Sequence, residues 1–168
     1  MNKDILRKYL EIRSIKDLKE SKYPDKKYTL NLIENKDFQL NKFLYKQIGK
    51  KYYWTDRLIW QDKDWIKYLS NKKINTYVLK EKDDLVGYFE VILDREECEI
   101  AYFGILEEYF GQGLGGYLLS EAIKICFKNN AKRVWVHTCS LDHPNAIKNY
   151  KSRGMEIFKT EVLQRKII

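Results

Sequence analysis

Apolar positions change their spacing along the chain, and the changes mark out its elements. Over residues 9–13 and 27–34 they alternate with polar ones, with Tyr28, Leu30 and Leu32 on one side, which predicts two short strands. Residues 21–25, which include Pro24 and Asp25, read as the turn between them. The spacing then becomes helical: Phe38, Leu40, Phe43, Leu44 and Ile48 fall near helical spacing, Asp37 stands at the capping position and Gly49 at the stop. Trp54, Leu58, Ile59, Trp65, Ile66 and Leu69 continue in helical register across a break near Gln61 and Asp62. The first third therefore reads strand, strand, helix, helix.

After Asn71 the pattern changes to strands at 75–80, 85–93 and 98–106, joined by the polar turns 81–84 and 94–97 and hence antiparallel. The glycine-rich loop 111–116 opens a helix whose apolar face is Leu114, Leu118, Ala122 and Ile125. Residues 133–139 are apolar on both faces, as a central strand would be. Pro144 starts a helix that ends by Gly154, and a last strand runs from Met155 to about Lys166. The expected fold class is α+β (mixed α/β): a mixed, mostly antiparallel sheet of about seven strands with helices on both faces.

Composition narrows the classes. With 168 residues, 44% hydrophobic and 14% aromatic, one compact core can form and a second would be crowded out, so residues 1–168 read as a single domain. The first twelve residues carry Lys3, Asp4, Arg7, Lys8 and Glu11 and no apolar run, unlike a secretory signal. The longest uncharged stretch, 109–120, is glycine-rich and too short to span a bilayer. A cytoplasmic protein with no membrane partner is expected. Cys98, Cys126 and Cys139 are odd in number and widely spaced, which argues against a disulfide framework and for buried, reduced thiols. His137, Cys139 and His143 lie close in sequence without a fourth ligand, so no metal is expected.

The net charge of +8 is unevenly placed: residues 1–51 hold 14 Lys/Arg against 7 Asp/Glu, and residues 52–168 hold 18 against 17. The N-terminal lysines are scattered among acids and apolar residues rather than set in a stripe, so nucleic acid is not the expected partner. Action on charged tRNA would draw only on this basic N-terminal third, and neutralising Lys16, Lys19, Lys22, Lys26 and Lys27 would test it.

The loop Gly111 to Gly116 sits between a strand and a helix, where free backbone N–H groups and the positive end of the helix dipole attract anions. Glycines let a phosphate approach the chain closely; a tight turn for packing is the alternative. Gly111, Gly113 and Gly116 also satisfy the dinucleotide spacing, but they follow antiparallel strands and lack the acid about 20 residues on that closes such a unit. No Gly-Lys-Ser/Thr follows, which excludes a nucleotide P-loop. A phosphate-bearing cofactor that is neither a nicotinamide nucleotide nor ATP remains.

These residues resemble the GNAT superfamily of N-acetyltransferases. Phe110 to Gly115 occupies the place of its Gln/Arg-x-x-Gly-x-Gly/Ala signature, with Phe110 where Gln or Arg is usual. Glu99 to Ile105 resembles the strand that carries the catalytic glutamate in the histone-acetylating branch, and Glu99 matches that glutamate. Ala146 to Met155 resembles the family's Ala-x-x-x-Tyr-x-x-x-Gly-Phe segment with Tyr150 at its tyrosine, and His143 stands where Asn is common. Segments 40–45, 54–58, 87–90 and 137–144 are similar to a bacterial subgroup, and the resemblance spans about residues 9–158.

The resemblance implies acetyl-CoA as co-substrate and acetyl transfer to a primary amine on a small molecule, protein or peptide; a homodimer is compatible with it. It implies cofactor contacts at Phe103, Gly104, Ile105, Phe110, Gly111, Gln112, Gly113, Leu114, Gly115, Gly116, Asn145 and Asn149. Such a reaction needs a neutral amine, a stabilised oxyanion and a protonated leaving thiolate. Tyr150 would supply the last proton, or else be a core tyrosine. Glu99 would take the ammonium proton, or else face solvent beside Glu96 and Glu97; His137 is the other candidate base, or a core histidine. Trp54, Asp56 and Arg57 fall in the region where the family builds its acceptor pocket, and Asp56 can attract an ammonium. Alternatively, Asp56 and Arg57 form a surface pair over an aromatic core. Without turnover, the same fold would serve as an acyl-CoA-binding module, a reading that the departures at Phe110 and His143 keep open.

Overall fold

The computed structural model describes residues 1–166. The elements are β1 (Asn2–Ile12), β2 (Thr29–Leu32), α1 (Phe38–Gly49), α2 (Asp62–Leu69), β3 (Ile74–Glu81), β4 (Asp84–Asp94), β5 (Glu97–Ile105), α3 (Leu114–Lys128), β6 (Arg133–Cys139), α4 (Ala146–Ser152) and β7 (Glu156–Lys166). All seven strands join one sheet in the order β2-β3-β4-β5-β6-β1-β7, and only β5 and β6 run parallel. Helices cover both faces, as the residue pattern predicts.

Strand alternation assigns the two cores. Val78 and Tyr88 turn to one face and pack with Leu44 and Ile48 of α1. Their neighbours Leu79 and Phe89 turn to the other and join Leu114, Leu118, Leu119, Ala122 and Ile123 of α3, with Tyr150 of α4. Ile125, expected on the α3 core face, is only half-buried; Ile123 and Leu119 take the deeper places. Local signals act where the pattern set them: Asp37 accepts from the Gln39 N–H at 3.0 Å and caps α1.

Three expectations change. Residues 51–60 form turns rather than a helical continuation, and α2 starts at Asp62, held by a capping box between Gln61 and Asp64. β1 is far longer than residues 9–13, because alternation in its polar first half is masked by charges facing solvent. Nor does a turn at residues 21–25 alone join β1 to β2: β2 is one edge of the sheet, whereas β1 lies between β6 and β7, antiparallel to both. Residues 13–28 are thus a crossing over α3 rather than a tight turn, tied by the Ser21 N–H to Ser120 Oγ at 3.0 Å and the Lys19 N–H to Arg153 O at 3.0 Å.

β6 is central but unevenly covered. Val134, Val136 and Thr138 are buried under the α3 face, whereas Trp135, His137 and Cys139 are half-buried on the other. The widely spaced Cys98 and Cys126 meet in the core with their sulfurs 2.7 Å apart, a proximity invisible in the sequence. No helix among the described residues is long and apolar enough to cross a membrane.

Candidate active site

A gap in the sheet starts the site. β5 and β6 pair only from Glu97↔Arg133 to Glu99↔Trp135. Between β4 and β5 the register shifts at Glu90/Val91, so that Glu90 opposes Tyr102 and Val91 opposes Ile100, with Ala101 left over. Such a bulge bends the strand that carries it, and β5 leaves β6 beyond Glu99. The space between them is a cavity of about 710 Å³ running from Glu99 to the start of α3.

At the α3 end the wall is backbone. Gly113 caps the helix at φ 74° with no side-chain cap, and Gly111 has φ 81°. A Cβ added at either would meet nothing within 4 Å, so these glycines are required by their left-handed conformation and leave the N–H groups of the first turn open. Asn149 of α4 donates to the Gly115 carbonyl at 3.1 Å and fixes α4 against this turn. A second cavity of about 300 Å³ shares Gly113, Gly116, Asn145 and Asn149 with the first and adds Lys148 and Arg153. Arg153 Nε is buried without a hydrogen-bond partner. Open amides at a helix N-terminus, two cations and a gap between parallel strands fit a long pyrophosphate-bearing cofactor.

Phe103, Gly104, Ile105, Phe110, Gly111, Gly113, Leu114, Gly115, Gly116, Asn145 and Asn149 all line the main cavity. Gln112 does not; its side chain points to Tyr28, whose hydroxyl donates to it at 3.4 Å. Tyr150 lines the cavity from α4, and burial, then the charge of Asp142, pushes its phenol well above the ordinary range. Glu99 is half-buried in the wall rather than turned to solvent, and burial raises its carboxyl. His137 also lines the cavity; burial and then the Arg7 charge hold its pKa below the usual 6.5.

The opposite wall is the 51–60 segment. Trp54 packs against Tyr102 (ring centroids 5.0 Å apart) and Tyr45 (5.6 Å). Asp56 and Arg57 do not pair with each other. Arg57 is buried and bidentate to Glu90, both contacts 3.0 Å, inside a cage of aromatic rings led by Tyr68 and Tyr102, each 4.2 Å from Cζ. Burial opposes that charge, and Glu90 more than offsets it, so the guanidinium stays protonated. Glu90 also accepts from Asn41 (3.0 Å) and Tyr68 (3.2 Å). Asp56 is exposed and faces Arg165 of β7 at 3.3 Å; Arg165 also donates to Tyr53 O at 2.6 Å and Thr55 Oγ1 at 2.7 Å. No cluster of three or more His, Cys, Asp or Glu side chains able to hold a metal occurs among the described residues.

A family model described as the acetyltransferase (GNAT) family matches residues 33–155. The chain belongs to that family. A Bacillus subtilis (strain 168) protein assigned by name as an alanine N-acetyltransferase of ribosomal protein bS18 is 33% identical over 81 residues, 48% of this chain and 53% of its own length. A GCN5-related N-acetyltransferase from Sphaerobacter thermophilus superposes with TM-score 0.69 at 15% identity, over 96% of this chain and 51% of that one. An aminoglycoside acetyltransferase from an uncultured soil metagenomic sample gives TM-score 0.64 at 14% identity, over 75% of this chain and 86% of that one. The chain thus spans about half the length of the first two relatives, and the structural likenesses speak for the fold alone.

Within this GNAT fold the two departures from the family's residues touch. Phe110 meets His143 edge-on, 5.5 Å between centroids at 85°, and Tyr52 packs on the same imidazole at 5.8 Å. His143 Nδ1 accepts the Asn145 N–H at 3.0 Å at the start of α4. Sequence reasoning missed Arg7, Glu90, Tyr68, Tyr102, Arg153 and Arg165. Only Glu90 carried a signal, a lone charge in the apolar run 85–93 that needs a buried partner.

Proposed function

We propose that the protein transfers an acetyl group from acetyl-CoA to a primary amine. One observation carries this reading: Tyr150 and Glu99 open onto one cavity that reaches the uncapped glycine turn of α3. When bound, acetyl-CoA supplies a thioester whose carbonyl carbon an amine can attack. The amides that open α3 and the cations Lys148 and Arg153 hold the cofactor's phosphates, and β5 from Phe103 to Ile105 offers its backbone edge along the gap. A backbone N–H of that edge is the donor toward the carbonyl oxygen.

Glu99 takes a proton from the incoming ammonium, directly or through water; its raised pKa suits a base working near neutrality. Tyr150 keeps its proton at any physiological pH and would give it to the thiolate as the C–S bond breaks and the C–N bond forms, the phenolate being restored by the second proton that the attacking nitrogen sheds. His137, with its lowered pKa, is neutral and forms part of the wall. Trp54 and Asp56 border the acceptor, and Arg57 is a positioning residue acting through the 51–60 segment. Similarity of segment 137–144 supports a place in the bacterial subgroup, and the curated relative's alanine substrate supports a protein or peptide amine among the acceptors to try.

The test is incubation of the protein and its Tyr150→Phe variant with radiolabelled acetyl-CoA and cell extract, followed by separation of small molecules, protein and RNA. Label entering one fraction with the unmodified protein alone supports the reading and names the acceptor class. Cofactor binding without transfer would instead mark an acyl-CoA-binding module.

A further inference from the structure

Of the three arginines that line the acceptor end of the cavity, two are paired. Arg57 is neutralised by Glu90, and Arg165 by Asp56. Arg7 also lines the cavity, opposite Cys139 in the β6–β1 register and Glu161 in the β1–β7 register, yet its Nε is buried without a hydrogen-bond partner. No ion pair holds its guanidinium among the described residues: the nearby Glu161 is engaged by the Tyr9 hydroxyl and by Lys159 at 3.5 Å. Across the same cavity Glu99 has no cation of its own, its shift arising from burial alone. A guanidinium that lines a cavity without an ion-pair partner gains free energy from an acceptor that a ligand brings.

We propose that the acceptor is zwitterionic: its molecule carries a carboxylate that Arg7 binds, while its amine faces Glu99 and the thioester. This rests on the acetyl-transfer reading and narrows its acceptor class. A guanidinium edge matches the two oxygens of a carboxylate. A more highly charged anion is disfavoured because the side chain of Asp142, which accepts from Thr138 Oγ1 at 2.6 Å and the Cys139 N–H at 3.0 Å, lies in the same wall. A polycationic amine would bring a further ammonium group against the unpaired Arg7 guanidinium.

The test sets matched probes against the full chain. Unbranched amino acids from glycine to aminohexanoate, and the dipeptide glycylglycine, are each compared with the carboxamide that replaces the carboxylate by a neutral group. Turnover is read as coenzyme A thiol released from acetyl-CoA; binding is read separately as the change in tryptophan fluorescence with coenzyme A bound. The expected preference for the acid in the best-fitting pair is about tenfold or more, carried by KM or by the binding constant. Arg7→Gln reduces it to about twofold or less with coenzyme A affinity unchanged, and Arg7→Lys keeps part of it. If Arg7→Gln fails to fold, Arg7→Lys decides: weaker binding of the acid with the amide unaffected supports the site. Equal use of acid and amide overturns the proposal, as does a preference that survives both substitutions. Acid-selective binding without acetyl transfer upholds the anion site and counts against the acetyl-transfer reading, so the two fail separately.

Discussion

The two ends of the cavity are built by different means. At the end proposed for the cofactor, strand β5, the glycine turn and α3 follow one another in sequence, and backbone amides exposed by Gly111 and Gly113 form most of the wall, with Lys148 and Arg153 beside them. At the acceptor end the groups are side chains drawn from β1, the 51–60 segment, β4 and β7: Arg7, Trp54, Asp56, Glu90 and Arg165. A backbone site tolerates change in nearly every side chain around it, which is why Phe110 can replace a polar residue and pack on His143 instead. A side-chain site holds its shape only through its network of pairs, and each pair is a point of failure.

The contrast is broken most severely at Glu90. Glu90→Ala strands the Arg57 charge in an aromatic cage, and urea unfolding is expected to show a loss of about 3–5 kcal/mol. Replacing both partners, as Arg57→Met with Glu90→Leu, restores much of that stability while acceptor turnover stays impaired, which separates folding from positioning. Next comes Tyr150→Phe, expected to lower kcat by about 10³-fold, measured as thiol release, with coenzyme A still bound. Glu99→Gln costs about 10²-fold at neutral pH. Its signature is the pH profile: activity of the unmodified protein falls as pH drops through the Glu99 pKa, which burial places above the usual 4.5, and the variant lacks that limb.

A smaller effect is expected at the cofactor end. Gly113→Ala meets no atom, so its cost is the left-handed backbone alone, about 1–2 kcal/mol in unfolding, together with weaker coenzyme A binding measured by calorimetry. Smallest of all is Asp56→Asn. Its pair with Arg165 is exposed, so the melting temperature is expected to hold, and any change falls on the acceptor KM.

What was legible in the sequence follows the same division. Glycines 111, 113, 115 and 116, Tyr150 and Glu99 stand out as candidates because their surroundings are contiguous segments with recognisable spacing. The Arg57–Glu90 pair could not, since 33 residues separate its partners and the neighbouring Asp56 offered a nearer one. The full length of β1 is hidden in the sequence because its charged half masks the alternation, and its place in the sheet depends on pairings with β6 and β7 more than 120 residues away. Arg7 was therefore counted only as evidence against a secretory signal.

By itself the sequence determined the succession of strands and helices, the Asp37 cap of α1 and the glycine turn that opens α3, all set by contacts within a few residues. Only the tertiary structure decided that the first strand fills the gap between β6 and β7, that Arg57 belongs to Glu90, and that Arg7 reaches the cavity with its Nε unpaired. The physical reason is range: backbone conformation answers to neighbours along the chain, whereas the fate of a charge is settled by which distant partner folding brings within a few ångströms of it.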